Sequence, residues 1–208
     1  MNKRGLLLVF SGPSGVGKGT VLKEYLQSHP NTAFSVSATT RKPREGEIHG
    51  QHYYFMDRQA FDRLVENGGL LEHAEFAGNC YGTPRETVER NLEKGIDVVL
   101  EIEVQGALQV KEKCPDALLV FVMPPSFEEL SRRLSGRGTE DAETVRRRLS
   151  NAAREMQAAK QYDYIVVNQT VEDAASQLEQ IVNAAKHTAK YLSEFIDEVE
   201  YDAETCCK

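Results

Sequence analysis

Leu6-Leu7-Leu8-Val9-Phe10-Ser11-Gly12-Pro13-Ser14-Gly15-Val16-Gly17-Lys18-Gly19-Thr20 joins a wholly apolar run to a glycine-rich turn. Leu6 to Phe10 has the length and composition of a strand covered on both faces. Beyond the turn, Val21, Leu22, Tyr25 and Leu26 recur at helical spacing until His29-Pro30 ends the helix. Strand, turn and helix are the context in which G-x-x-x-x-G-K, here Gly12 to Lys18, binds phosphate. Glycines let backbone N–H groups converge on one point, and the following helix aims the positive end of its dipole there. Lys18 adds a mobile full charge for β- and γ-phosphates. A nucleoside triphosphate is therefore expected across Gly12, Pro13, Ser14, Gly15, Val16, Gly17, Lys18, Gly19 and Thr20. Gly19 stands where the pattern usually has a serine or threonine magnesium ligand, and Thr20 comes one position later. Mg²⁺ is thus expected to be held more by phosphates and water than by this loop.

Downstream, strands and helices alternate. Ala33 to Ser37 reads as a strand, and Ala38 to Gln51, polar and basic, as a loop. His52 to Met56 and Leu70 to Phe76 read as strands around a helix Gln59 to Asn67, which Gly68-Gly69 terminates. Thr83-Pro84 opens a helix that Gly95 closes, and Ile96 to Glu103 and Leu118 to Val122 are strands. Ser126 with Glu129 forms a capping box for a helix stopped by Gly136. A long helix over Asp141 to Lys160, a strand Tyr164 to Val167 and a helix from Val171 into an acidic tail complete the pattern. Such alternation indicates a parallel α/β sheet covered on both faces. Residues 37–83 interrupt it with strands of their own, as an inserted subdomain would.

The net charge of −7 over 208 residues argues against a nucleic-acid or membrane partner, because no global positive field exists. Cationic binding must therefore be local. No apolar run approaches the roughly 20 residues that span a bilayer, and the N-terminal run is too short for a signal-peptide core. Cys80, Cys114, Cys206 and Cys207 lack zinc-ligand spacing and read as free thiols of a reducing, cytoplasmic protein. The acids and paired cysteines of the tail from Phe195 to Lys208 read as disordered surface. Monomer and homodimer are both left open.

Local cations are found in Arg41-Lys42-Pro43-Arg44, where the proline stiffens the spacing between two arginines. Two guanidinium forks held close suit a phosphate, since each can bind bidentately. Ser37-Ala-Thr-Thr-Arg41-x-Pro-Arg44-x-Gly-Glu, followed by Gly50-x-x-Tyr53-x-Phe55, resembles the monophosphate-binding region of guanylate kinases. Leu71-Glu72-His-Ala-Glu-Phe76, Gly78-Asn-x-Tyr81-Gly82-Thr83, Gln105-Gly106 and Tyr162 to Asn168 continue the resemblance in order. It covers most of the chain and leaves about the last twenty residues unclaimed.

That resemblance implies an α/β fold: a P-loop parallel sheet flanked by helices, an inserted mixed α/β subdomain that binds the nucleoside monophosphate, and a short helical lid. It places the core at 1–36, 84–135 and 161–195, the GMP-binding insertion at 37–83, the lid at 136–160 and an acidic tail at 196–208. Arg41, Arg44, Tyr53 and Tyr81 would clamp the acceptor phosphate, with Ser37 and Thr83 donating to guanine O6. Glu72 would accept from N1–H and the exocyclic amine, an edge that adenine does not present; adenine would leave that carboxylate unpaired. Glu103 would give a second guanine contact and Glu101 a contact to magnesium-bound water, although members usually carry aspartate at both places. Arg137 and Arg148 match lid arginines, with glycines 136 and 138 as hinges, and with Lys18 and Arg44 they would make up the catalytic set. The implied reaction is Mg²⁺-dependent transfer of a phosphoryl group from ATP to GMP or dGMP. Two other readings fit less well. A non-catalytic guanylate-kinase-like interaction module would have a degraded phosphate loop and neighbouring domains, whereas Lys18, Arg41, Arg44 and Arg137 are all present. A regulatory GTPase would need an Asn-Lys-x-Asp segment, which the sequence lacks.

Overall fold

A computed structural model describes residues 4–135 and 142–206. The elements follow as β1 (Leu7–Ser11), α1 (Lys18–Ser28), β2 (Thr32–Phe34), β3 (Ala38–Thr39), β4 (Tyr54–Phe55), α2 (Arg58–Glu66), β5 (Leu70–Phe76) and β6 (Asn79–Pro84). Then come α3 (Arg85–Glu93), β7 (Asp97–Glu101), α4 (Val104–Lys113), β8 (Leu118–Met123), α5 (Phe127–Ser135), α6 (Ala142–Gln157), β9 (Tyr164–Val167), α7 (Val171–Ala185) and α8 (Ser193–Cys206).

β1 is the centre of a five-stranded sheet in the order β2-β7-β1-β8-β9, and every pairing in it is parallel. Its apolar run is explained by burial on both faces. Leu6, Leu8 and Phe10 pack with Val21, Leu22, Leu130 and Leu178 on one side. Leu7 and Val9 meet Val88, Leu92, Ala107 and Val110 on the other. Because the strands are parallel, β1 and β7 end at the same edge, which brings the phosphate loop and Glu101 together.

The interrupting segment forms a second, mixed sheet in the order β4-β3-β6-β5, with its own small core of Ala38, Phe61, Leu70 and Cys80. The expected architecture, a parallel sheet flanked by helices with a mixed insertion, is therefore present. Beyond shifts of one to three residues at element ends, as where the strand expected over Ala33 to Ser37 is Thr32–Phe34, the strand and helix assignments differ in four places. Ala38 to Gln51 is not all loop, because Ala38–Thr39 is recruited as β3 by β4 on one side and β6 on the other. β6 occupies Asn79–Pro84, where Gly82 and Pro84 signal a turn. Gly82 is needed in that strand because a Cβ there would lie 2.8 Å from the Glu72 carbonyl oxygen. The strand expected to reach Glu103 stops at Glu101, and a helix, α4, begins at Val104. Glu103 is its N-cap without a side-chain capping bond, so the usual start signal is missing. Finally, the tail is not disordered surface: Ser193–Cys206 is helical, separate from α7, and exposes Phe195, Ile196, Val199 and Tyr201. No helix among the described residues is long and apolar enough to cross a membrane.

Candidate active site

The phosphate loop is braced from several sides. Gly17 caps α1 in the left-handed region at φ 94°, and a Cβ there would sit 2.7 Å from Asn168 Nδ2. That amide, buried, donates to the Val16 carbonyl at 2.7 Å. Arg133 donates to the Asn168 carbonyl at 3.0 Å while its Nε pairs with Glu129 at 2.8 Å. Arg133, near the end of α5 and just before the expected lid, therefore acts as a strut for the loop. Gly12 is excluded from carrying a side chain by Val122, whose carbonyl oxygen would lie 2.6 Å from a Cβ.

Lys18 folds back over this loop and donates to the Gly12 carbonyl at 2.6 Å. Burial lowers its pKa, against the raising influence of Glu101, Glu155 and Glu103. Glu101, at the end of β7, stands over Gly19, whose Cβ position is 3.7 Å from Glu101 Oε2. Burial raises the Glu101 pKa, and Lys18 opposes the shift. Glu103 does not lie on β7; from the start of α4 its charge acts on Lys18 and on Glu155.

Two side chains of α6 reach the same loop. Arg148 donates to Ser14 Oγ at 2.8 Å, and Glu155 Oε2 accepts from the Ser14 N–H at 3.3 Å. Seven residues apart, they share one helix face. A carboxylate thus sits on an N–H of the phosphate nest. Glu155 escaped the sequence reading, although its spacing from Arg148 was the available signal. Its pKa is raised, chiefly by burial and then by Glu103. Arg137, with residues 136 and 138, lies outside the described residues.

On the insertion, Arg41, Tyr53 and Tyr81 come together. The Arg41 guanidinium lies 5.2 Å from the Tyr53 ring centroid, and the two tyrosine rings are 6.2 Å apart, edge to face. Glu47 organises this corner: its carboxylate takes both Arg41 nitrogens at 2.8 and 2.9 Å and the Arg44 N–H at 2.7 Å. Those bonds hold the Glu47 pKa down at about 2. The Arg44 side chain is exposed and Ser37 is half-buried, its carbonyl accepting from Tyr54 N at 2.8 Å. Glu72 is buried, with Oε1 accepting from Thr83 Oγ1 at 2.7 Å. Burial pushes its pKa up, while the Thr83 hydroxyl and the Lys113 charge pull it back. A register shift between Leu70 and His73 sets two residues of β5, Leu71 and Glu72, against the single Thr83 of β6 and turns both side chains inward.

A braced glycine loop, a cationic corner lined by tyrosines and a buried carboxylate bonded to Thr83 now stand on one framework. The guanylate kinase family model matches residues 4–185. The chain belongs to the guanylate kinase family. It is 54% identical to a guanylate kinase of Lactococcus lactis over 184 residues, 88% of this chain and 90% of that one. A guanylate kinase of Desulfitobacterium hafniense is 52% identical over 186 residues, 89% and 93% of the two chains. The crystal structure of a guanylate kinase from Anaplasma phagocytophilum aligns with a TM-score of 0.70 at 40% identity, covering 90% and 89%. Helix α8 lies beyond the family match.

Proposed function

We propose that this enzyme transfers the γ-phosphoryl group of ATP directly to GMP or dGMP, giving ADP and GDP or dGDP. The observation that carries the reading is the buried Glu72–Thr83 pair, on the same mixed sheet as a cationic, tyrosine-lined corner. A desolvated carboxylate is matched by guanine N1–H and the 2-amino group, and only poorly by adenine or a pyrimidine. Thr83 and Ser37 would donate to O6, and Arg41, Arg44, Tyr53 and Tyr81 would hold the acceptor phosphate. Glu103, facing the phosphate loop, would approach the base only after rearrangement.

In the reaction an acceptor phosphate oxygen bonds to Pγ as the bond from Pγ to the bridging oxygen of ADP breaks. The acceptor oxygen is already ionised, so no strong base is needed, and the protein's task is alignment and charge neutralisation. Lys18 would swing from the Gly12 carbonyl to the β- and γ-phosphates. Arg148, and Arg137 beyond the described residues, would follow the transferring group. Closure of this lid, the segment 136–160, over the insertion 37–83 would exclude water and so prevent hydrolysis.

For Mg²⁺ the residues present fit an indirect site. No group of three or more His, Cys, Asp or Glu suited to a metal exists among the described residues. Glu101, over Gly19 and beside Lys18, would receive a metal-bound water, and the ion bound with ATP would neutralise charge on the phosphates.

A coupled ADP-release assay with GMP, AMP, CMP and UMP tests the function. Turnover is expected with GMP far above the others, and faster turnover on AMP would overturn it. Helix α8 with its exposed apolar residues gives no support to the interaction-module reading, because the phosphate loop is intact.

A further inference from the structure

We propose that Gln109 is a positioning residue that fixes the base-reading carboxylate, and that with Gly106 it sets discrimination among purine monophosphates. β5 is the outer strand of the mixed sheet, so one edge of its backbone has no strand partner. That edge faces α4. The Gln109 side-chain amide accepts from His73 N at 3.1 Å and donates to the His73 carbonyl at 3.1 Å, so a side chain completes a rung of the sheet. One turn before it, Gly106 lies against Glu72 itself: a Cβ there would be 2.8 Å from Glu72 Oε2 and 3.3 Å from Cδ. One turn after it, Lys113 Nζ donates to the Leu70 carbonyl at 3.1 Å. Gly106, Gln109 and Lys113 fall at helical spacing on one face, so three successive turns of α4 grip Leu70, Glu72 and His73.

The bulge of β5 between Leu70 and His73 gives this grip its meaning. A bulge frees two residues from ladder pairing, and their side-chain directions must be set by something else. Thr83 fixes one carboxylate oxygen of Glu72, and the surface left by the missing Gly106 side chain receives the other. Gln109 pins the peptide immediately after Glu72 and so fixes where that carboxylate can point. α4 begins just past Glu101 and Glu103, so this rail also ties the base site to the phosphoryl-transfer edge.

The inference rests on the reading of Glu72 as the base-reading residue. Steady-state kinetics with GMP and IMP, which lacks the 2-amino group, are measured for the wild type, Gln109→Ala and Glu72→Gln, alongside KM for ATP and thermal midpoints. Gln109→Ala is expected to raise KM for GMP about tenfold and to narrow the GMP-to-IMP ratio of kcat/KM. Its KM for ATP and its kcat should stay within about twofold, because the donor loop is untouched. Gly106→Ala is expected to act in the same direction through its contact with Glu72. A lowered melting temperature with an unchanged GMP-to-IMP ratio would make Gln109 merely structural and overturn the proposal. If Glu72→Gln keeps the wild-type ratio, the base-reading role of Glu72 fails, and the proposal falls with it. If only Glu72→Gln shifts the ratio, Glu72 reads the base without help from Gln109.

Discussion

The phosphate loop and the insertion, read as the donor and acceptor phosphate sites, are built in opposite ways. The loop is one contiguous stretch, Gly12 to Thr20, and its anion site is backbone held rigid by Asn168, Arg133 and close contacts at Gly12 and Gly17. The corner read as the acceptor site draws side chains from the β3–β4 loop, β5 and β6, and Glu47 holds its Arg41 guanidinium and the Arg44 backbone N–H. Backbone sites bind any polyphosphate of the right shape, whereas side-chain sites can read a base. Donor affinity should therefore reside in the loop, and acceptor choice in the insertion.

The largest effect expected from this division is that of Lys18→Met. Loss of the only mobile charge on the loop should lower kcat on the order of 10³-fold with GMP affinity preserved, read by rapid kinetics and calorimetric GMP binding. Arg44→Ala tests the other side. Turnover should drop about a hundredfold at a melting temperature close to wild type, since the side chain is exposed. Near-normal activity would remove Arg44 from the clamp.

A pH profile sharpens the contrast. Burial raises the pKa of Glu72 above the ordinary 4.5, so protonation begins at higher pH than for a solvated carboxyl. As pH falls through that raised value, kcat/KM for GMP should fall about tenfold per unit, because a protonated carboxyl no longer accepts from both guanine donors. Glu72→Gln should lose this limb. For stability the sign is opposite: a raised folded pKa means the folded state binds the proton more tightly, so acidification through it favours folding at this site. Glu47 is the reverse case. Its pKa of about 2 lies below the usual value, so its bonds to Arg41 and Arg44 are fully present above the usual carboxylate range and are lost only as pH falls through about 2. Glu47→Gln should raise KM for GMP only about threefold, the smallest effect of the set, because a glutamine side chain keeps an oxygen that can still accept from Arg41 and the Arg44 N–H.

The same division governed how much of the molecule was legible in the sequence. The phosphate loop could be read directly, because strand, glycines, lysine and helix are adjacent and each has a local physical requirement. β5 was legible to its ends, while β3 and β6 were not: two residues and a Gly-Pro-containing segment become strands only through their partners. α4 was missed because it lacks an N-terminal capping side chain and carries a glycine within it, and that glycine is retained for Glu72. The bonds from Glu47 to the Arg41 guanidinium and the Arg44 N–H are tertiary facts, and Glu155 on the Ser14 N–H was signalled only by its seven-residue spacing from Arg148.

The most direct test of the division is a single competition followed by ³¹P NMR, with ATP, Mg²⁺ and equal GMP and AMP in one sample. GDP should form first, with one adenosine diphosphate released per GDP and AMP left untouched until GMP is spent. Consumption of AMP ahead of GMP, or inorganic phosphate in place of GDP, would contradict the account.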